Sequence, residues 1–173
     1  ALDRLIPGAD VFVHTLRPDT IGRLGFDYDH VRALAPEIIY CGAYGFSAKG
    51  PYARKAAYDD LIQAGSGLAA LSGKMHGQPG YLPSVICDKL AGPTIAYAVI
   101  AALFQRQRGG GGQAIEVPML ETAIEFNLVE HIFGLAFEPP LGRSGFGRVL
   151  SRNRKPYRTR DGYACILPYS DRN

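Results

Sequence analysis

An aspartate acts as a nucleophile when its carboxylate stays ionised and partly desolvated beside a substrate carbonyl. Asp88 has suitable surroundings. It follows the apolar residues Leu82, Val85, Ile86 and Cys87 and opens the strongest helical pattern in the chain, residues 88–108. Two roles compete for it. A helix N-terminus offers free N–H groups, and an Asp there is ordinarily the N-cap. The same partial positive charge keeps a carboxylate ionised for attack. On the residues alone, the cap is the stronger reading.

Other chemistry-bearing residues point nowhere in particular. His14, His30, His76 and His131 are scattered, with neither metal-ligand spacing nor a serine elbow, and take no role. Cys41, Cys87 and Cys165 are odd in number and far apart, and read as reduced core thiols of a cytoplasmic protein. Gly65-Ser66-Gly67-Leu68-Ala69-Ala70 has the letters of a dinucleotide fingerprint. That motif must follow a strand, and residues 58–64 look helical, so close helix packing is the better reading. Gly109 to Gly112 lack the Lys-Ser/Thr of a phosphate loop and read as a flexible helix-to-strand connection.

The elements that must position these residues follow from patterning. Residues 11–16 and 37–43 are short apolar runs that suit buried strands, with a helix over 29–35 stopped by Pro36. Strand, helix, strand predicts a parallel βαβ unit and an α/β fold. Helices are predicted over 58–71, 88–108 and 119–137, with Pro93 awkward inside the second, and a strand over 113–117. Residues 72–83 read as a Gly/Pro-rich connector, 139–156 as irregular, and 157–167 as a hairpin around Asp161-Gly162.

Composition bounds the answer. The chain has 173 residues, 47% hydrophobic and 20% charged, which is globular rather than disordered. The net charge of +3 is too mild to argue for nucleic acid. Residues 140–173 carry eight Lys/Arg against two Asp, a local +6, while the rest carries −3. A boundary near Pro139-Pro140 therefore divides the chain into 1–139 and 140–173. The basic stretch reads as a solvated or interdomain face. Cofactor phosphates are a second reading and nucleic acid a distant third. Residues 94–104 form the longest apolar run, too short to span a membrane. Nothing suggests secretion. Residues 1–5 begin like mid-helix and 169–173 follow a strand pattern that closes nothing, so the chain is read as an internal piece of a longer protein.

Several segments carry a family resemblance. Ala9-Asp10-Val11-Phe12-Val13-His14-Thr15-Leu16-Arg17-Pro18 resembles an A-D-V-x-x-x-N-F-R-P segment, continued by Arg23-Leu24-Gly25-Phe26. Pro36-Glu37-Ile38-Ile39-Tyr40 resembles an NPRLIY strand, and Gly45-Phe46-Ser47-Ala48-Lys49-Gly50-Pro51-Tyr52 a GFGQTGPY loop. Tyr58-Asp59, Gln63-Ala64 and Ser66-Gly67 follow in order, then Asp88-Lys89-Leu90-Ala91-Gly92, similar to an aDxxaG segment. Residues 110–117 resemble GRGQxVDV, and 156–162 P-Y-R-T-x-D-G. Together these resemble the class III CoA-transferases, the family of formyl-CoA transferase, carnitine CoA-transferase and α-methylacyl-CoA racemase.

The resemblance implies part of a Rossmann-like large domain in 1–139 and the start of a small α+β domain in 140–173. It implies coenzyme A as acyl carrier, no metal, acyl-CoA and carboxylic acid substrates, and an interlocked homodimer. Asp88 falls on the family's catalytic aspartate. Thr15, Leu16 and Arg17 fall on a CoA-contacting turn, Arg23 on a phosphate contact, and Ala56, Ala57, Tyr58 and Asp59 on a second CoA-binding segment. Thr15 replaces the common Asn, and Ala56 stands where some members have Lys. A transferase working through an aspartyl anhydride is the leading expectation. A racemase of the same family is the alternative, but it needs an acid/base pair. Tyr58 stands where racemases place a His, and tyrosine with a pKa of ~10 is a poor base at neutral pH. A non-catalytic CoA-binding module is the third reading. Arg17 and Arg23 are expected on the same side of the domain as Tyr58.

Overall fold

A computed structural model describes residues 1–167. The strand pattern expected over 169–173 lies outside the described residues. Three parallel strands form the main sheet in the order β1 (Val11–His14), β2 (Ile39–Tyr44), β3 (Gln113–Pro118). Val11 pairs with Ile39, and Ile39 with Gln113. The parallel arrangement expected of the first two strands holds. The central strand is apolar from Ile39 to Ala43 and buried on both faces, as a middle parallel strand must be.

Two helices, not one, connect β1 to β2. The strand ends at His14, and Pro18 starts α1 (Pro18–Arg23) from its first helical position. There its missing N–H costs nothing, so Arg17-Pro18 begins a helix as well as ending a strand. Helix α2 (Tyr28–Leu34) follows, capped by the Asp27 carboxylate, which accepts from His30 N at 2.9 Å.

Each face of the sheet has its own core. Tyr40 packs with Ile6, Val31, Ile38, Phe12 and Tyr28 on one side. Cys41, Ala43 and Val117 pack on the other under Ile95, Ala98 and Val99 of α5 (Ile86–Gln105). A third cluster joins Ile62, Cys87 and Ala123 from α3 (Asp59–Gly65), α5 and α6 (Met119–His131).

Several predicted elements shift. The helix expected over 58–71 is two helices, α3 and α4 (Leu68–His76), broken at Gly67 with φ +85°. Gly67 therefore makes a turn, and α4 runs five residues into the expected connector. The helix expected over 119–137 stops at His131 and gives way to a 3-10 turn at Phe133–Ala136. Helix α5 passes straight through Pro93, with the Thr94 hydroxyl donating to the Leu90 carbonyl at 2.9 Å. The glycine run connects helix to strand, as expected. Gly109 and Gly111 have positive φ, and a Cβ on Gly112 would lie 2.5 Å from the Pro36 carbonyl oxygen.

By length and composition Ile86–Gly110 is apolar enough to cross a membrane, which the sequence reading did not find. One face of α5 covers the sheet. The other leaves Tyr97, Ile100 and Phe104 roughly 60% exposed.

After Pro140 the chain first folds back on α6. Gly145 N donates to the His131 carbonyl at 2.7 Å, and Phe146 N donates to His131 Nδ1 at 3.2 Å. The hairpin of β4 (Tyr157–Arg158) and β5 (Tyr163–Ala164) is antiparallel and separate from the main sheet. Cys165 beyond it is exposed, so only Cys41 and Cys87 are the buried thiols expected.

Candidate active site

The site collects at the carboxyl ends of the parallel strands. In an open α/β sheet that edge is where strand-to-helix loops leave a crevice. The turn at Thr15, Leu16 and Arg17 leaves β1 there, and the long loop of residues 45–58 leaves β2 there. Helix α5 arrives at the same edge by a geometric necessity. It must deliver the chain to the amino end of β3, so its own N-terminus lies at the opposite end. Arg106 fixes the far end of this helix, pairing with Asp10 at 2.6 Å and donating to the Glu37 carbonyl at 2.9 Å. Both partners lie at the amino ends of β1 and β2.

The loop after β2 is tied down from several sides. Arg17 Nη1 donates to the Arg54 carbonyl at 2.6 Å, linking the first turn to the second. Ala48 N donates to Glu116 Oε1 at 2.5 Å, and Leu120 N donates to the Gly45 carbonyl at 3.0 Å. A Cβ on Gly45 would lie 2.2 Å from the Ala57 Cβ, so glycine is required for the loop to close on the 56–59 segment.

That segment is extended, with φ −124° and ψ 168° at Tyr58, and its side chains alternate. Ala56 is exposed, Ala57 half-buried, Tyr58 78% exposed and Asp59 only 5% exposed. Tyr58 is thus free to meet a ligand, and Asp59 is turned inward. Thr15, Leu16 and Arg17 are exposed in their turn. Arg23 is exposed in the last turn of α1, six residues from Arg17 along the chain, and no contact among the described residues joins it to Tyr58.

Asp88 is the third residue of α5, not its N-cap. The cap position belongs to Val85, whose side chain cannot accept a hydrogen bond. The capping oxygen comes from another helix. Asp59 Oδ1 accepts from Cys87 N at 2.7 Å and from Asp88 N at 3.0 Å. Asp59 Oδ2 accepts from Gln63 Nε2 at 2.7 Å. Gln63 is fully buried, and its Oε1 accepts from Leu82 N at 2.8 Å. The sequence reading missed Gln63 as part of this site. Its signal was a polar residue beside Ile62 on the inward face of a helix.

Asp88 itself is exposed, while Cys87 is buried and Leu90 half-buried. The desolvation expected around Asp88 is therefore not supplied by its own neighbours. Burial pushes the Cys87 thiol up to about 11, with the charges of Asp59 and Asp88 adding to it, so it stays a neutral thiol.

Cationic side chains at the same edge could meet phosphates. Lys49, Arg54 and Lys55 are exposed on the loop after β2, and Arg17 is bonded to it. Arg54 and Lys55 were not singled out from sequence, although a basic pair in a Gly/Pro-rich loop after a strand was a usable signal. His14 ends β1 against a cavity of about 410 Å³ that Tyr44, Lys49 and Glu116 also line. Burial lowers its pKa, which keeps its ring neutral.

The family model of CoA-transferase family III matches residues 1–173. A succinate–glutarate CoA-transferase of Agrobacterium fabrum is 36% identical over 119 residues, covering 69% of this chain and 30% of that protein. A mouse succinyl-CoA:glutarate CoA-transferase is 32% identical over 158 residues, covering 91% of this chain and 36% of that protein. The crystal structure of a CAIB/BAIF family protein from Brucella suis superposes with a TM-score of 0.79 at 28% identity. It covers 94% of this chain and 43% of that one. The chain thus spans less than half the length of these relatives.

Proposed function

The chain belongs to CoA-transferase family III, and from that premise we propose that the protein carrying it moves CoA from an acyl-CoA donor to a carboxylic acid acceptor, with Asp88 as nucleophile. The observation that carries this reading is the place of Asp88. Its exposed carboxylate stands in the first turn of α5, whose backbone is bonded to Asp59, the residue after Tyr58.

The chemistry is a chain of acyl exchanges. The Asp88 carboxylate attacks the donor thioester carbonyl, the C–S bond breaks, and CoA thiolate leaves a mixed anhydride. The thiolate then attacks the Asp88 carbonyl of that anhydride. The donor carboxylate departs and an aspartyl-CoA thioester remains. The acceptor carboxylate attacks the same carbonyl and releases CoA thiolate from a second anhydride. Attack of the thiolate on the acceptor's carbonyl yields the new acyl-CoA and restores Asp88. Every intermediate is an activated acyl group, so no step needs a stronger activator than a positioned carboxylate.

On the same reading, Thr15, Leu16 and Arg17 line one side of the CoA path, and Ala56, Ala57 and Tyr58 the other. Arg17, Arg23, Arg54 and Lys55 meet its phosphates, a task suited to guanidinium and ammonium groups. The protein works as a cytoplasmic homodimer without a metal. Residues 1–139 form part of a Rossmann-like domain, and 140–173 begin a smaller one.

Incubating the complete protein with succinyl-CoA and either glutarate or oxalate in D2O tests the reading. These acids are those named for the relatives. A transferase produces the acceptor's CoA thioester. Deuterium entering beside the thioester carbonyl without an acceptor would instead mark a racemase, and neither product would leave a binding module.

A further inference from the structure

The first turn of α5 carries free N–H groups that its own cap residue cannot satisfy, since Val85 offers no acceptor. Asp59, from α3, accepts two of them, those of Cys87 and Asp88. A carboxylate only 5% exposed must be well hydrogen-bonded to remain there. Its second oxygen is held by Gln63, which also accepts from Leu82 N and donates to the Ser84 carbonyl at 3.2 Å. One buried network therefore locks α3, the loop of residues 77–85 and the start of α5 into a single arrangement.

This arrangement has a consequence for Asp88. An acid at the third helical position commonly reaches back to the N–H of the cap residue, here Val85, and Asp88 makes no such bond. Here the N–H groups of Cys87 and Asp88 are taken, and the Asp88 carboxylate accepts no hydrogen bond among the described residues. We propose that Asp59 is a positioning residue that holds the backbone of Asp88 in register with Tyr58 and leaves the Asp88 carboxylate free to attack. The proposal rests on Asp88 being the nucleophile. It reassigns the Asp59 side chain from contacting CoA to fixing the group that reacts with it. Because Asp59 directly follows the exposed Tyr58, one extended step in the chain couples the ligand-facing wall to the nucleophile's anchor.

The test uses the complete protein and succinyl-CoA as probe. It measures steady-state kcat and KM, and the single-turnover rate at which residue 88 becomes acylated, per folded molecule. Asp59→Ala should lower kcat and the acylation rate at least about tenfold while KM for succinyl-CoA moves less than about twofold, the pattern of lost orientation. Asp59→Asn keeps one oxygen for both N–H groups but turns its amide N–H against Gln63 Nε2, so it should lose kcat at constant KM, and lose less than Asp59→Ala. Gln63→Leu leaves Asp59 in place but frees its second oxygen, and should also lower kcat at constant KM. It carries the test if the Ala variant does not fold. Wild-type acylation in folded Asp59→Ala or in Gln63→Leu would overturn the proposal. A loss in Asp59→Asn equal to that in Asp59→Ala would also overturn it, by giving the charge itself a chemical part. Asp88→Asn is run in parallel. Turnover surviving in that variant would remove the nucleophile assignment itself, separately from any result at Asp59.

Discussion

Cys87 and Asp88 are consecutive, yet one is buried against Ile62 and Ala123 while the other faces solvent. Thiol reactivity follows thiolate content and access, and Cys87 lacks both. Burial raises the Cys41 pKa in the same way. Alkylation of the native protein at about pH 8 should therefore modify Cys165 first and leave Cys41 and Cys87 intact until unfolding. Peptide mapping that finds Cys87 modified in the native state would contradict the packing described. Tyr40 gives a second check at this scale. Its hydroxyl donates to the Phe26 carbonyl at 2.9 Å, and burial, with the charge of Asp27 second, pushes its pKa up to about 12. The folded state thus holds this proton more tightly than the unfolded chain, whose tyrosine pKa is about 10. The contribution is full below roughly pH 10 and is lost as pH rises through the folded value. Tyr40→Phe should begin about 1 kcal/mol less stable near neutrality and lose less on going to pH ~12. Denaturant titrations with equal alkaline slopes for both proteins would contradict this account.

Between elements, the tightest constraint near the site is the closure of Gly45 on Ala57. A methyl group at Gly45 must displace the segment that carries Tyr58 and Asp59. Gly45→Ala should cost about 1–3 kcal/mol by overpacking and weaken CoA binding. Adding Ala57→Gly should recover part of both, measured by thermal unfolding and calorimetry. Failure of the second change to help would mean the segment is not held by this contact. The same scale shows what was legible in the sequence. Parallel strands, the long α5 and the Asp161-Gly162 hairpin follow from local pattern, because each is decided by residues close in the chain. The splitting of residues 58–71 was hidden, since an apolar helical period runs across Gly67 and only its φ of +85° reveals the turn. Pro18 was ambiguous for the converse reason, because proline both ends a strand and starts a helix. The cap of α5 was not legible at all. Asp59 lies 29 residues before Asp88, and only the packing of α3 against α5 brings its carboxylate to the helix end. Asp88 thus looked like its own cap.

Across the whole molecule, α5 is unusual in being apolar on both sides. Ile95, Ala98 and Val99 face the sheet, and Tyr97, Ile100 and Phe104 face outward. Large exposed apolar groups on one helix face are characteristic of a covered surface. The proposed homodimer would cover it. Sedimentation of the complete protein should give a dimer, and Ile100→Glu should weaken it; a wild-type monomer would contradict the proposal. The basic stretch after Pro140 begins by packing on α6 and then forms its own hairpin at residues 157–164, so among the described residues its charge sets it apart more sharply than its contacts do. The central claim is that Asp88 forms the covalent intermediate. Since Asp88 is the third residue of α5 and exposed, Asp88→Asn forfeits about 0.3–1 kcal/mol of helix-end electrostatics and should fold normally. Intact-protein mass spectrometry after incubation with succinyl-CoA is the most direct measurement. The account predicts an acyl or CoA adduct mapped to residue 88 in the wild type, and neither adduct nor transfer in a folded, CoA-binding Asn variant. Near-normal turnover by that variant, or an adduct mapped to another residue, would contradict it.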